Sequence, residues 1–279
     1  MTLSAETSQI TQRVASDEED FWRIRRFLSA TYPLTPLGFN WEVRRWDGSR
    51  FHREEFTWPG PLERNRVAMW ESAAGALVGV VNAEDFGDAY LQLHPAFRHL
   101  EDAMIQWAVD HLSAPTQHGP TQLEMFAFDY DTQRQEKLAA HGFEKTARGG
   151  VSRRMRLAAR PPVVADAAAP PIAPYRLGTT EPDELANCRR VADLLNAAFR
   201  RTGHTAQEFQ TFTRHAPSYR PALDLIAQAP DGSFAAYVGI AYDPETRHAT
   251  FEPVCTHPEH QRRGLAKALM LDGIRRLHE

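Results

Sequence analysis

Along the 279-residue chain, runs of alternating apolar and polar residues give way to runs with apolar residues three and four apart, and this happens twice in the same order. "TQRVASDEEDFWRIRRFLSATYP" (11–33) reads as a short strand, an acidic helix start and an amphipathic helix. "VAMWESAAGALVGVVNAED" (67–85) reads as a hairpin turning near Gly75, and "YLQLHPAFRHLEDAM" (90–104) as a strand followed by a helix. The second pass runs through "PYRLGTTEPDELANCRRVADLLNAAF" (174–199), a hairpin "LDLIAQAPDGSFAAYVGIAYD" (223–243) turning at Asp231-Gly232, and "FEPVCTHPEHQRRGLAK" (251–267). His-Pro pairs fall at 94–95 and 257–258, an offset of 257 − 94 = 163. The matched order of elements, more than that dipeptide, argues for an internal duplication.

Between the copies, "PPVVADAAAPPIAP" (161–174) is dominated by proline and alanine and reads as a semi-stiff linker. The predicted organisation is a first domain at 1–160, the linker at 161–174 and a second domain at 175–279. At the repeat offset Glu279 corresponds to Thr116, since 279 − 163 = 116. The first copy goes on with a predicted strand at 122–130, a helix at 132–143 and a strand at 151–159. The second has no counterpart to these, so it is expected to lack its C-terminal part. Its last strand would then be a bare edge, with association into a homo-oligomer as the consequence.

Composition narrows the classes. Hydrophobic residues make up 42%, enough for real cores, and the net charge of −4 argues against a nucleic-acid binder. The two cysteines, Cys188 and Cys255, give neither a disulfide framework nor zinc spacing. The N-terminus lacks the regions of a signal peptide, and no apolar run is long enough to span a membrane. A soluble, cytoplasmic protein is expected.

The most informative stretch is "CTHPEHQRRGLAKALM" (255–270). A helix start presents amides without helical partners at the positive end of its dipole, which suits an anion and phosphate above all. Gly264 permits an unusual turn and close approach of a ligand, and Arg262 and Arg263 add charge. It is neither a P-loop nor a dinucleotide fingerprint. The six residues Gln261-Arg262-Arg263-Gly264-Leu265-Ala266 resemble the Q/R-x-x-G-x-G/A motif of the GNAT acyltransferase superfamily, and "PVCTHPEH" resembles that family's fourth strand and bulge. The resemblance extends over both copies in element order.

The resemblance implies an α/β fold of two GNAT-like domains, each a mixed, mainly antiparallel sheet flanked by helices. It implies acetyl-CoA as co-substrate, with backbone groups of Val254, Cys255 and Thr256 along the pantetheine arm. Gln261, Arg262, Arg263, Gly264, Leu265, Ala266 and Lys267 would hold the pyrophosphate. The N–H of Val254 would also face the oxyanion. Glu252 occupies the family's base position and is expected to be partly buried, with a raised pKa, on the same strand face as Val254. The family's general acid, a tyrosine, belongs to a later helix. In the first copy Glu101 stands where Gly264 stands in the second, with Asp102 beside it. Two carboxylates would repel a diphosphate, so residues 1–157 are expected to be a GNAT-like fold without catalysis.

Other residues carry less. All six tryptophans lie in the first half. The aromatic and arginine-rich stretch 38–60 falls where the family places a mobile loop, so it could bind substrate, reach the second domain or be held by its own aromatics. His257 and His260 form H-x-x-H with no carboxylate spacing to complete a metal set, and no metal is expected. Cys255 is a weak candidate for covalent transfer. Residues 200–215 correspond to the acceptor loop of the second copy; His204, Glu208 and His215 could touch a substrate there, and the preferred reading is a solvated helix. The function expected is N-acetyl transfer to a small-molecule amine. The competing expectation is a tandem GNAT-like module that only binds acyl-CoA or a partner.

Overall fold

The computed structural model describes residues 10–54, 58–60, 63–116, 119–157 and 173–279. The chain forms two compact units, and their border does not follow the sequence. Residues 1–43 and 57–153 make the first, and residues 44–56 pack with 154–279 in the second. Residues 161–172 of the expected linker lie outside the described residues.

In the first unit, strands β1 (Thr11–Val14), β2 (Ala68–Glu71), β3 (Leu77–Asn82) and β4 (Asp88–Leu93) pair antiparallel in chain order. A separate hairpin joins β5 (Ala114–Thr116) to β6 (Gly119–Gln122), and the short β7 (Glu124–Met125) lies parallel to β4. Helix α1 (Glu18–Thr31) starts where the Asp17 side chain accepts the Asp20 N–H at 3.1 Å, with Glu18, Glu19 and Asp20 in its first turn. It buries Phe21, Ile24, Phe27 and Leu28. Helix α2 (Val43–Phe51) begins the segment that packs with the second unit. Helix α3 (Glu101–Leu112) sets Met104 and Ile105 against Val81 and Leu93 of the sheet, and α4 (Thr132–Ala140) follows. Full burial of each such side chain stabilises the unit by about 1.5–3 kcal/mol.

Two predicted strands differ. Residues 122–130 pair over far less than their length, and residues 151–157 form no strand. Val151 and Met155 are 73% and 55% exposed, so that run has no buried apolar face to anchor it.

The second unit is one antiparallel sheet in chain order, β8 (Arg176–Thr179), β9 (Asp224–Gln228), β10 (Phe234–Asp243) and β11 (His248–Thr256). Helices α5 (Leu185–Phe199) and α6 (Ala206–His215) cover one face, where Cys188, Val191, Leu195 and Phe209 meet Tyr237 and Cys255. Helix α7 (Leu265–His278) covers the other, where Leu265 and Leu269 meet Val238, Ile240, Phe251 and Val254. Both units are therefore mixed α/β layers built on mainly antiparallel sheets. No helix of the described residues is long and apolar enough to cross a membrane.

Candidate functional site

The site grows from a bulge near the end of β11. Val238 pairs with Val254 and Ile240 with Phe251, so Gly239 alone stands opposite Glu252 and Pro253. Proline has no N–H for the ladder, and the extra residue bends the strand. A Cβ on Gly239 would lie 2.8 Å from the Tyr237 hydroxyl and 3.1 Å from the Glu252 carbonyl oxygen, so only glycine fits. The bulge also reverses the alternation of side chains. Val254 packs on the α7 face with Phe251, while Cys255 packs on the α5–α6 face with Tyr237. Glu252 therefore shares the side of Cys255 and Tyr237, not that of Val254 as simple alternation predicts. Nor is it buried: its side chain is 55% exposed.

Beyond the bulge the chain prepares a helix terminus. His257 donates its N–H to the Ala235 carbonyl at 2.9 Å, and its Nδ1 accepts the Glu259 N–H at 3.3 Å. A 3-10 turn at Pro258–His260 follows, then two left-handed residues, Arg262 at φ 60° and Gly264 at φ 77°. A Cβ on Gly264 would meet nothing within 4 Å, so the requirement for glycine there is conformational. Gly264 caps α7 without a side chain, and the first-turn amides have no helical acceptor. Gln261, Arg262, Arg263, Gly264 and Lys267 are exposed, Ala266 is half-buried and Leu265 anchors the helix in the core. The Tyr175 hydroxyl meets His260 Nδ1 at 2.9 Å, and the Arg263 guanidinium stands 5.9 Å from the Tyr175 ring. The first-turn amides and the helix dipole at this exposed start suit an anion such as pyrophosphate, and Arg262 and Arg263 beside it are exposed.

Glu259 does bring a carboxylate to the histidine pair, contrary to the spacing argument, and the three ligand atoms lie within 4.8 Å of one another. Both rings already use Nδ1, His257 as a cap and His260 with Tyr175. Cys255 is buried in the core, and burial pushes its thiol up to about 12, which disfavours a thiolate nucleophile.

On the Glu252 side of the sheet lie Asp224 and His52, which the sequence did not single out, with His204 and Glu208, which it did. Asp224, 2% exposed, accepts the Tyr237 hydroxyl at 2.6 Å, the Tyr219 hydroxyl at 3.0 Å and the Thr180 hydroxyl. Burial lifts its carboxyl to about 6 against the pull of those three donors. Segment 44–56 supplies more. Asp47 accepts the Ser218 N–H at 3.3 Å, and the His52 ring stacks on Phe212 at 3.9 Å and 7°. His52 Nδ1 and His204 Nδ1 lie 3.7 and 3.4 Å from one oxygen of Glu208. Burial raises the Glu208 carboxyl and, helped by Arg44 and His204, holds His52 neutral. Helix α6 buries Phe209 and Phe212, so it is not the solvated helix expected. Arg44 Nη1 stands 3.6 Å from Glu252 Oε2.

The first unit treats the equivalent terminus differently. His94 caps a 3-10 turn as His257 does, accepting the Ala96 N–H at 3.2 Å, but that turn runs from Pro95 to Leu100 directly into α3. Glu101, fully buried, takes Arg98 Nη2 at 3.0 Å and Arg134 Nε at 3.0 Å. Arg98 also reaches Asp131 at 2.7 Å, and both guanidiniums lie over the Phe39 ring at 5.0 and 4.5 Å. Repulsion of a diphosphate is thus the wrong description of Glu101: its carboxylate is neutralised and fills the terminus. Asp102 is paired with Lys137 and His141.

Residues 189–279, which include the bulge and the α7 terminus, match the acetyltransferase (GNAT) family. The match to the family covers about a third of the chain. A crystal structure of a GCN5-related N-acetyltransferase from Sphaerobacter thermophilus is similar over 96% of this chain and 83% of that one, at 16% identity and a TM-score of 0.55. A tandem GNAT protein from the clavulanic acid biosynthesis pathway is similar over 96% of this chain and 85% of that one, at 16% identity and a TM-score of 0.48. At such identities the first likeness concerns the GNAT fold. No curated protein matches the sequence. GNAT proteins generally use acyl-CoA donors.

Proposed function

We propose that the second unit transfers an acetyl group from acetyl-CoA to the amine of a small molecule. The observation that carries this reading is the succession of the Glu252–Pro253 bulge and the uncapped, left-handed terminus at Gly264, within the region that matches the family. Strand β11 lies at the edge of its sheet, so alternate backbone groups between Val254 and Thr256 are turned away from β10 and suit an amide-rich arm. Amides and arginines from Gln261 to Lys267 hold the pyrophosphate, and the Val254 N–H receives the thioester oxygen as charge develops on it. The amine must lose its proton before attack. Glu252, exposed at the bulge, takes that proton through water. The nitrogen then attacks the thioester carbon directly, and the thiolate leaves without passing the acyl group to Cys255.

One observation favours a second reading. Glu252 is exposed and paired with Arg44, not desolvated, which suits an acyl-CoA-binding module with no transfer step. An assay of CoA thiol release over a panel of small amines separates the two. Amine-dependent release with formation of the acetylated amine supports transfer; tight acetyl-CoA binding without product supports the binding module. The proposed protein is cytoplasmic, needs no metal and contacts neither nucleic acid nor membrane.

A further inference from the structure

We propose that the acceptor is an α-amino acid, held by its carboxylate at Arg44 while its amine lies at Glu252. This rests on the transferase reading above and names the substrate class of that site.

Arg44 is part of the second unit although it stands far ahead of it in sequence. Its side chain is 14% exposed, yet among the described residues its guanidinium makes no hydrogen bond, only the 3.6 Å ion pair with Glu252. A guanidinium carries five donors in a planar fork, and at 14% exposure that of Arg44 is open to an incoming acceptor. The neighbouring groups do not supply one. Tyr237 feels the charge of Arg44, but its hydroxyl is given to Asp224. His52 also feels that charge and is held neutral against Phe212. The Asp224 oxygens are already taken up by three hydroxyls. Glu252, 55% exposed, is free to turn toward an incoming amine.

The fork fits a carboxylate with two parallel hydrogen bonds, which a single neutral oxygen cannot match. The separation of the pair narrows the class. With 3.6 Å between guanidinium and carboxylate, a ligand that answers both must carry its cation and anion close together. In an α-amino acid about 2.5 Å separates the nitrogen from the carboxyl carbon. The zwitterion replaces the Arg44–Glu252 contact with a carboxylate pair at Arg44 and sets the amine beside Glu252, within reach of it through one water.

The test compares the common α-amino acids with their primary carboxamides as acceptors for the full chain, with acetyl-CoA as donor. At least one acid should be acetylated with a kcat/KM about 10–100-fold above its carboxamide, the range expected of a charge-assisted pair. Arg44→Gln should remove that advantage through KM, and Arg44→Lys should restore part of it. Acetyl-CoA affinity by calorimetry should not change in either variant. Carboxamides accepted as well as the acids, or Arg44→Gln weakening both alike, would overturn the proposal. So would a silent panel from a protein that binds acetyl-CoA. Failure to bind acetyl-CoA would instead overturn the transferase reading beneath it. The comparison of acid with carboxamide uses the unaltered protein, so it stands even if a variant folds poorly.

Discussion

Glu101 in the first unit and Gly264 in the second stand at the start of matching helices and use them in opposite ways. Glu101 turns a carboxylate inward, where Arg98 and Arg134 neutralise it. Gly264 adds no side chain, adopts a left-handed φ of 77° and leaves the terminus of α7 open. At the first helix start stands a buried, ion-paired carboxylate; at the second no side chain caps the helix.

Removing the filling should damage the fold, not the chemistry. Glu101→Ala leaves Arg98 and Arg134, 24% and 6% exposed, with only Asp131 as a shared carboxylate. Breaking a buried pair in this way costs roughly 3–5 kcal/mol. Urea unfolding should show a loss of that order for the first unit, while acetyl-CoA affinity of the folded protein stays unchanged. An unaltered unfolding curve would mean that the network contributes nothing.

Glu252→Gln keeps the shape at the bulge and removes the proton acceptor. The expected result is a fall in kcat of about 10²–10⁴ with little change in acetyl-CoA affinity. If the variant keeps both its rate and the acidic limb of the wild-type pH profile, another group takes the proton.

Asp224 gives a stability signature with a definite sign. Burial lifts its carboxyl from 3.8 to about 6. Below 3.8 both folded and unfolded chains hold the proton, and the stability is complete. As the pH rises toward 6 the unfolded chain has released it and the folded chain has not, so stability falls. The shift corresponds to about 3 kcal/mol lost across that window, flat above it. Urea midpoints measured between pH 4 and 7 should fall more steeply in the wild type than in Asp224→Asn, which keeps only the contribution of Glu208. Parallel slopes in the two proteins would place the titration elsewhere.

Much of this was legible in the sequence because backbone rules are local. The hairpins turn at Gly75 and Gly232, whose φ values of 76° and 86° are those that glycine adopts without strain. Gly264 marked the open terminus in the same way. The facing of Glu252 was not legible from alternation, because the bulge opposite Gly239 inserts one residue into the count, and only Pro253 hinted at it. The role of Asp224 was hidden because its partners, Thr180, Tyr219 and Tyr237, are scattered along the chain. The packing of residues 44–56 with the second unit leaves no periodic trace. The arginines and aromatics of that stretch signalled contact, without saying with what.

The central claim is that the open terminus at Gly264 holds the acyl donor, and calorimetric titration of acetyl-CoA into wild type, Gly264→Glu and Glu101→Gln tests it most directly. The account predicts one site per chain in the wild type, retained in Glu101→Gln and abolished in Gly264→Glu, where a carboxylate would face the diphosphate. Undiminished binding to a folded Gly264→Glu protein, or equal loss in both variants, would contradict it.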